Sequence, residues 1–136
     1  MLDLKALLTK LVQHYNNIGI GKSGGTATAK SIANSTSWQD LGVSESMPAG
    51  IYFVDISVRF ASRTSGYRSL AICADGERMS GSVVHYEDKG ACYLTSSIMI
   101  DRSSSNWTLS FQVRQYVSGG SALNVSSYYW RTMRVK

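Results

Sequence analysis

Hydrophobic and polar residues alternate one by one along much of this chain. The clearest stretch is 52–60, where every second residue is apolar, and these residues are Tyr52, Val54, Ile56, Val58 and Phe60. The same period returns at 107–113 with Trp107, Leu109, Phe111 and Val113. Successive side chains of a β-strand point to opposite faces of its sheet, so each row predicts a strand with one buried face. We expect the two rows to share one apolar interior.

Turn-forming residues separate these rows from further alternating stretches. Pro48–Gly50 precedes the first row, Arg63–Gly66 follows it as a hairpin connection, and Asp75-Gly76 is a second hairpin signal. Further strands are predicted at 26–32, 37–41, 67–74, 82–86, 93–100 and 122–135. The total of about eight to ten short strands predicts an all-β fold, an antiparallel jelly-roll sandwich.

The first 18 residues follow a helical period instead. Apolar residues recur there at alternating spacings of three and four, at Met1, Leu4, Leu8, Leu11 and Tyr15. This heptad seam predicts a short N-terminal amphipathic helix, and Leu7 and Val12 widen its apolar face as in a three-stranded bundle. We therefore predict oligomerisation through Leu4, Leu8, Leu11 and Tyr15. The alternative is a helix folded back onto its own domain, because an amphipathic segment has the same pattern in both cases.

A glycine-rich segment separates the helix from the alternating stretches. Four glycines stand between residues 19 and 25, and such segments act as flexible linkers. The predicted organisation is therefore an oligomerisation helix at 1–18, a joint at 19–25 and a jelly-roll head domain at 26–136. A length of 136 residues with 43% hydrophobic content suits a single core.

Charge and cysteine content restrict the possible partners. The net charge of +5 comes from 14 Lys and Arg against 9 Asp and Glu, and the basic residues are scattered singly. This distribution disfavours a nucleic-acid groove and favours weak attraction to anionic partners such as acidic glycans. The opening residues do not resemble a secretory signal, and the apolar runs are too short for membrane insertion. Cys73 and Cys92 are accordingly predicted to be free thiols of a protein made in a reducing cytoplasm.

Motifs of catalytic or metal chemistry occur only in the wrong context. Gly19–Ser23 ends like a phosphate-binding loop, but a helix precedes it and strands follow it, the reverse of that motif's setting. His14 and His85 are not spaced with the cysteines as zinc ligands. Asp101 with the 103–106 loop offers oxygen ligands for calcium, but only one carboxylate. Because the acidic residues are dispersed and no serine lies on a nucleophile elbow, we expect no enzyme, no metal and no cofactor.

The segment Pro48–Phe60, Pro-Ala-Gly-Ile-Tyr-Phe-Val-Asp-Ile-Ser-Val-Arg-Phe, resembles the proline-alanine-glycine-x-tyrosine strand of complement globular-head and tumour-necrosis-factor-like jelly rolls. It is more similar still to the version in small head domains of bacteriophage tail and receptor-binding proteins. Gly66–Leu70, Trp107–Val113 and Gly119–Val125 fall where such heads place their next strands, so the resemblance spans residues 26–135. It implies a homotrimer whose inner sheets pack around a threefold axis behind a helical or fibrous stalk. This sequence has no long stalk or collagen-like repeat, and the resemblance supplies no ligand motif.

Aromatic residues beside arginines are the best candidates for a ligand site. Tyr129 and Arg131 lie together near the C terminus, and Arg63 and Tyr67 flank a predicted turn. Aromatic faces stack on sugar rings and guanidinium groups bind hydroxyls or acidic substituents, so these four residues are predicted to bind saccharide. The alternative is that alternate members of Tyr128–Trp130 are core or trimer-interface residues of a strand.

Together these features predict a trimeric phage tail or baseplate head domain that binds a bacterial surface glycan or acidic cell-wall polymer by avidity. Such a protein is made in the bacterial host cytoplasm without a signal peptide and resides in the virion, beside other tail or baseplate proteins. One alternative is a structural cap or trimerisation module of a tail fibre that binds no receptor. The other is a glycan-degrading enzyme, which the missing carboxylate pair disfavours.

Overall fold

The computed structural model describes residues 3–17 and 21–136 as one helix followed by ten strands. The elements are α1 Leu4–Asn17, β1 Ser23–Thr26, β2 Lys30–Ile32, β3 Ser35–Met47, β4 Gly50–Arg63, β5 Tyr67–Ala74, β6 Glu77–Arg78, β7 Val84–Glu87, β8 Gly90–Arg102, β9 Trp107–Tyr116 and β10 Leu123–Arg134. A short 3-10 turn, Ser80–Ser82, lies between β6 and β7. The predicted all-β antiparallel jelly-roll sandwich with a short N-terminal helix is confirmed.

The strands form two five-stranded antiparallel sheets. In sheet I the order is β1-β10-β4-β8, and β2 pairs with the start of β10. In sheet II the order is β3-β9-β5-β6, and β7 pairs with the first half of β5. The chain crosses from one sheet to the other six times, after β2, β3, β4, β7, β8 and β9, as is typical of a double-sheet jelly roll.

The core lies between the sheets and is built by the two predicted apolar rows. The row on β4 is at most 2% exposed and the row on β9 at most 3%. Aromatic pairs join the sheets: Tyr52 meets Trp107 edge to face at 5.6 Å between ring centroids, and Phe111 meets Trp130 at 5.9 Å. The shared apolar interior predicted from the alternation is therefore present.

Strand β5 is buried on both faces, which the alternation does not predict. Its core face is the expected one, and its outer face, made of Ser69, Ala71 and Cys73, is equally buried. The strand ends at Asp75-Gly76, whose φ angles are 51° and 77°. Two successive positive φ angles are the type I′ geometry that Asp-Gly sequences favour, so the predicted hairpin signal is confirmed.

The predicted joint at 19–25 is wrong over Ser23–Gly25, because these residues belong to strand β1, which pairs with β10. The preceding residue, Lys22, is also attached: its N–H donates to Oγ1 of Thr132 at 2.8 Å, and its carbonyl oxygen accepts from the Thr132 N–H at 2.7 Å. A Cβ on Gly25 would lie 2.4 Å from the carbonyl oxygen of Tyr128. Glycine is needed here for close approach of two backbones rather than for flexibility. Gly19 lies outside the described residues.

Helix α1 begins with a side-chain cap, because Oδ1 of Asp3 accepts a hydrogen bond from the N–H of Ala6 at 3.0 Å. Every residue from 3 to 13 is exposed, and the exposed fractions of the apolar ones range from 48% to 70%, for Leu4, Leu7, Leu8, Leu11 and Val12. The described part of the helix therefore does not pack its apolar face on the head domain, contrary to the fold-back alternative.

The helical period predicted for 1–18 is confirmed over Leu4–Asn17, while its role in oligomerisation stays a prediction. Met1 and the side chains of His14 and Tyr15 lie outside the described part of the chain. Within that part, no helix is long and apolar enough to cross a membrane.

Candidate ligand-binding face

The outer face of sheet II carries a tryptophan flanked by two arginines. Trp38 comes from β3, Arg114 from β9 and Arg78 from β6. The guanidinium carbons of Arg114 and Arg78 lie 4.5 and 5.2 Å from the centroid of the Trp38 ring, within the range of cation–π attraction. Pairing of the strands thus brings together three side chains that are far apart in sequence.

Tyr67 of β5 extends this cluster along the sheet. Its ring centroid lies 5.5 Å from the guanidinium carbon of Arg114 and 5.0 Å from the His85 ring centroid. We call the surface formed by Trp38, Tyr67, Arg78, His85 and Arg114 the Trp38 face. It combines aromatic rings, which stack on sugar rings, with planar cations, which donate paired hydrogen bonds to hydroxyls and acidic groups.

A chain of hydrogen bonds orders one side of the Trp38 face. Nε of Arg114 donates to Oγ of Ser69 at 3.4 Å, Ser69 Oγ lies 2.8 Å from Nδ1 of His85, and Nε2 of His85 lies 3.0 Å from Oε1 of Glu87. A carboxylate only accepts hydrogen bonds, so in neutral His85 the proton is on Nε2 and Nδ1 accepts from the serine hydroxyl. The chain therefore runs from a guanidinium group to a carboxylate and fixes the orientation of both ring and cation.

The Ser69–His85–Glu87 arrangement has the residue types of a nucleophilic triad. A nucleophilic serine must reach its substrate, but Ser69 is fully buried. In this geometry Ser69 orders the face and cannot attack a ligand bound on it.

Metal ligands do not converge at any place in the described structure. Among residues 3–17 and 21–136, no three His, Cys, Asp or Glu side chains are grouped so as to hold a metal ion. Asp101, considered for calcium, instead accepts hydrogen bonds from the hydroxyl and the backbone N–H of Ser103, and these bonds lower the pKa of its carboxyl group. Cys73 and Cys92 are free and buried.

A cleft of about 420 Å³ opens beside Tyr67. The β4–β5 turn, Thr64–Gly66, lines one side, and the β7–β8 turn, Glu87–Lys89, lines the other. The cleft continues the Trp38 face, since Tyr67 belongs to both. The cleft and the Trp38 face together present aromatic, cationic and hydroxyl groups, with the acidic residues Glu87 and Asp88 on the far side of the cleft.

A buried cation holds one wall of this cleft. Arg68 is fully buried, and its guanidinium group donates to the carbonyl oxygens of Asp88, at 2.6 Å, and Gly90. The same group lies 5.6 Å from the ring centroid of Tyr86. Arg68 thereby holds the β7–β8 turn in place from the interior of the protein.

Arg63, predicted to bind ligand, is engaged by the protein itself. Its Nη1 donates to Oε1 of Gln115, and its Nη2 donates to the carbonyl oxygen of Ser121 at 2.6 Å. Burial and the neighbouring Arg68 lower the pKa of Arg63. The residue ties the end of β4 to β9 and to the loop before β10, and a role in ligand binding stays a prediction.

The other two predicted site residues lie on the opposite side of the sandwich, on the outer face of sheet I. Tyr129 is 57% exposed there, and Nε of Arg131 lies 3.2 Å from Oδ2 of Asp55. Their neighbour Trp130 is in the core, as the alternative for this stretch predicts. The four predicted residues therefore do not form one site, and only Tyr67 belongs to the Trp38 face.

The outer face of sheet I has a different character. Met133, Phe53 and Met99 stand side by side in register across β10, β4 and β8. Four of the five exposed large hydrophobic residues of the described head domain lie on this surface, namely Tyr93, Met99, Tyr129 and Met133. We call it the sheet I face. Exposed apolar area of this kind is typical of an interaction surface.

The sequence prediction missed Trp38, Arg78 and Arg114. Arg114 alternates with buried Val113, which indicates an outward direction, but nothing in the sequence shows which side chains meet it. Trp38 lies in a stretch of β3 where the register with β9 shifts between Ser35 and Gln39, so alternation does not reveal its face. Only the strand order identifies the cluster.

Comparisons with known proteins support the fold. No protein-family model matches this chain, and no curated protein matches it. It is similar to a structure of infectious bursal disease virus, Gt strain, with a TM-score of 0.59 and 12% identity over 86% of this chain and 34% of that chain. The T13 particle of the same virus gives a TM-score of 0.58 and 10% identity over 86% of this chain and 32% of that chain.

This chain thus spans about a third of the virus chains, and at these identities the likeness concerns the fold alone. The CBM36-1 domain of a multidomain xylanase from the hindgut metagenome of Trinervitermes trinervoides aligns with a TM-score of 0.45 and 12% identity over 83% of this chain and 96% of that domain. A score at that level supports no argument. The chain is a two-sheet jelly-roll domain, and the comparisons assign it to no family.

Proposed function

We propose that this chain is a saccharide-binding head domain and that the Trp38 face is its ligand site. The observation that carries the proposal is the placement of two guanidinium groups 4.5 and 5.2 Å from one tryptophan ring on the outer face of a sheet. Binding sites for sugars combine an aromatic platform with a few fixed polar groups. The adjoining cleft beside Tyr67 provides room for a neighbouring sugar unit.

The proposed setting is a bacteriophage tail or baseplate, where the domain recognises a bacterial cell-surface saccharide. The resemblance of Pro48–Phe60 to phage head domains supports this setting. We further propose a homotrimer formed through the apolar seam of α1, whose described members are exposed. Three weak sites on one particle raise overall binding by about 10²–10⁴ over one site when all engage together.

The domain acts by binding alone in this proposal. The one serine–histidine–glutamate arrangement described above has its serine buried, and it supports the face instead. Incubation with host cell wall should therefore release no reducing ends.

Glycan-array binding and adsorption to bacterial cells test the ligand site. Trp38→Ala should weaken binding about tenfold or more, which corresponds to about 1.4 kcal/mol. The matched control is Tyr93→Ala on the sheet I face, since Tyr93 is an exposed aromatic residue with the guanidinium carbon of Arg59 5.6 Å from its ring centroid. Unfolding curves for both variants establish that they are folded.

Two results would contradict the proposal. One is a wild-type protein that binds neither glycans nor cells. The other is a folded Trp38→Ala variant that binds as well as the Tyr93→Ala control.

Light scattering on the chain with and without residues 1–18 tests the trimer. The full chain should have the mass of three copies, and the truncated chain should have a mass of fewer than three copies. A monomer in both cases contradicts the trimer but leaves the ligand site intact.

A second candidate function is a structural cap or trimerisation module that touches no receptor. The exposed apolar residues of the sheet I face favour it, because such a surface suits contact with another protein. A cap should assemble normally and bind no glycan, so the array and the light scattering together separate the two functions.

A further inference from the structure

We propose that the saccharide is acidic and that Arg78 and Arg114 bind its anionic substituent, a carboxylate or a phosphate, beside Trp38. This inference rests on the proposed function and names the ligand class. It concerns the charge of the ligand, which the proposed function does not specify.

The first observation is that neither of these two cations forms a direct ion pair with a carboxylate of the described residues. Three Lys or Arg side chains of the described structure pair with a carboxylate, namely Lys22 with Glu45 at 2.6 Å, Arg131 with Asp55 at 3.2 Å and Arg102 with Asp75 at 3.8 Å. No carboxylate oxygen of the described residues lies within 4.0 Å of a side-chain nitrogen of Arg78 or Arg114. Their charge is therefore available to an external anion.

The second observation is that protein contacts orient both guanidinium groups but leave donors free. Nη1 of Arg78 donates to Oε1 of Gln112 at 3.0 Å, and Arg114 uses Nε toward Ser69 and Nη1 toward the carbonyl oxygen of Thr36. The Nη2 group of each arginine has no acceptor among the described residues. A planar guanidinium held in this way is arranged for charge-assisted hydrogen bonds to carboxylate or phosphate.

The third observation is proximity. Each guanidinium carbon lies within 5.2 Å of the same ring centroid, so the two are less than about 10 Å apart. Two like charges at this distance repel each other, and an anion between or beside them removes that repulsion. The carboxyl groups of Asp40 opposite Gln112, of Glu77 next to Arg78 and of Glu87 at the end of the hydrogen-bond chain form no ion pair with either arginine.

The experiment compares three polymers as probes: neutral dextran, polyuronate (alginate) and polyglycerol phosphate. Calorimetric titration of the full chain should give binding of at least one acidic polymer about tenfold tighter than that of dextran, and the affinity should fall as sodium chloride rises. The two acidic polymers distinguish a carboxylate from a phosphate ligand.

Two double variants with the same change in charge identify the site. Arg78→Gln with Arg114→Gln should lower the affinity for the acidic polymer about tenfold or more, while Arg59→Gln with Arg131→Gln, on the sheet I face, should lower it less than about threefold. Because Arg114 contacts the buried Ser69, the exposed Arg78→Gln single variant serves as a second test if the double variant fails to fold.

Each alternative result overturns the inference in a recognisable way. Dextran bound as tightly as the acidic polymers, with the Trp38→Ala effect retained, shows a neutral ligand and leaves the proposed function standing. Equal losses in the two double variants show unspecific attraction to the net positive charge. Failure of all three polymers, together with glycans and cells, rejects the inference and the proposed function together.

Discussion

Replacement of Arg68 by methionine tests whether a buried cation holds the cleft in shape. The guanidinium group lies behind the β7–β8 turn and donates to the carbonyl oxygens of Asp88 and Gly90. Methionine has a similar length and fills the apolar part of the site, but it donates no hydrogen bond. The variant therefore removes the attachment of the turn with little change in packing.

The expected effect follows from two opposing contributions. Hydrogen bonds from a charged donor contribute about 1.5–3 kcal/mol each, so loss of both costs about 3–6 kcal/mol before compensation. The exposed turn can recover water at its carbonyl groups, and the native state no longer buries a charge whose Nε has no partner among the described residues. We expect a net decrease of about 2 kcal/mol in the free energy of unfolding.

Urea unfolding followed by tryptophan fluorescence measures this difference, with Arg59→Met on the exposed sheet I face as the control. The control should change the free energy of unfolding by less than about 0.5 kcal/mol. Glycan binding by Arg68→Met should weaken as well, because the Glu87–Lys89 wall loses its support. An Arg68→Met protein as stable as the wild type would refute the reasoning, since desolvation of the charge would then outweigh its hydrogen bonds.

Three further predictions test the fold. Gly25→Ala should lower the free energy of unfolding by about 1–3 kcal/mol, because its Cβ would lie 2.4 Å from a carbonyl oxygen of β10. In the control Gly81→Ala, the nearest atom would lie 3.5 Å from the new Cβ, so the free energy of unfolding should change by less than about 0.5 kcal/mol. Equal effects of the two substitutions would contradict the close approach of the backbones at Gly25. Phe111→Ala should cost about 3–5 kcal/mol in urea unfolding, and a loss below about 1 kcal/mol would mean that its ring is not in a shared core. Burial raises the pKa of the thiols of Cys73 and Cys92. Ellman's reagent at about pH 8 should therefore label both thiols in urea and neither in the native protein. Rapid labelling of the native protein would count against their burial.

Much of the fold could be predicted because its main strands follow a strict alternation. The rows at 52–60 and 107–113 each have one fully apolar face, and a strand of that kind can turn only this face toward the core. Asp75-Gly76 identified its hairpin for an equally local reason, since few other pairs accept two positive φ angles.

Failures of prediction occurred where a residue's role depends on its partner across a sheet. A glycine-rich segment looks flexible in a sequence, yet Ser23–Thr26 is a strand because β10 offers a backbone that only glycine can approach so closely. Arginine is normally exposed, and nothing local marks Arg68 as buried. The Trp38 face combines β3, β5, β6, β7 and β9, so its composition follows from strand order, which the alternation does not determine.

The attachment at Lys22 has a mechanical consequence. The helix enters the body through the paired hydrogen bonds between Lys22 and Thr132, and then through β1, so a pull on the N terminus is transmitted to β10 of sheet I. Tension there loads antiparallel hydrogen bonds of sheet I, and it also reaches β3 of sheet II, because Nζ of Lys22 pairs with Glu45 and donates to the carbonyl oxygen of Ser46, both at 2.6 Å. A load applied through the helix is therefore divided between β10 of sheet I and β3 of sheet II and does not act on the edge of one sheet alone.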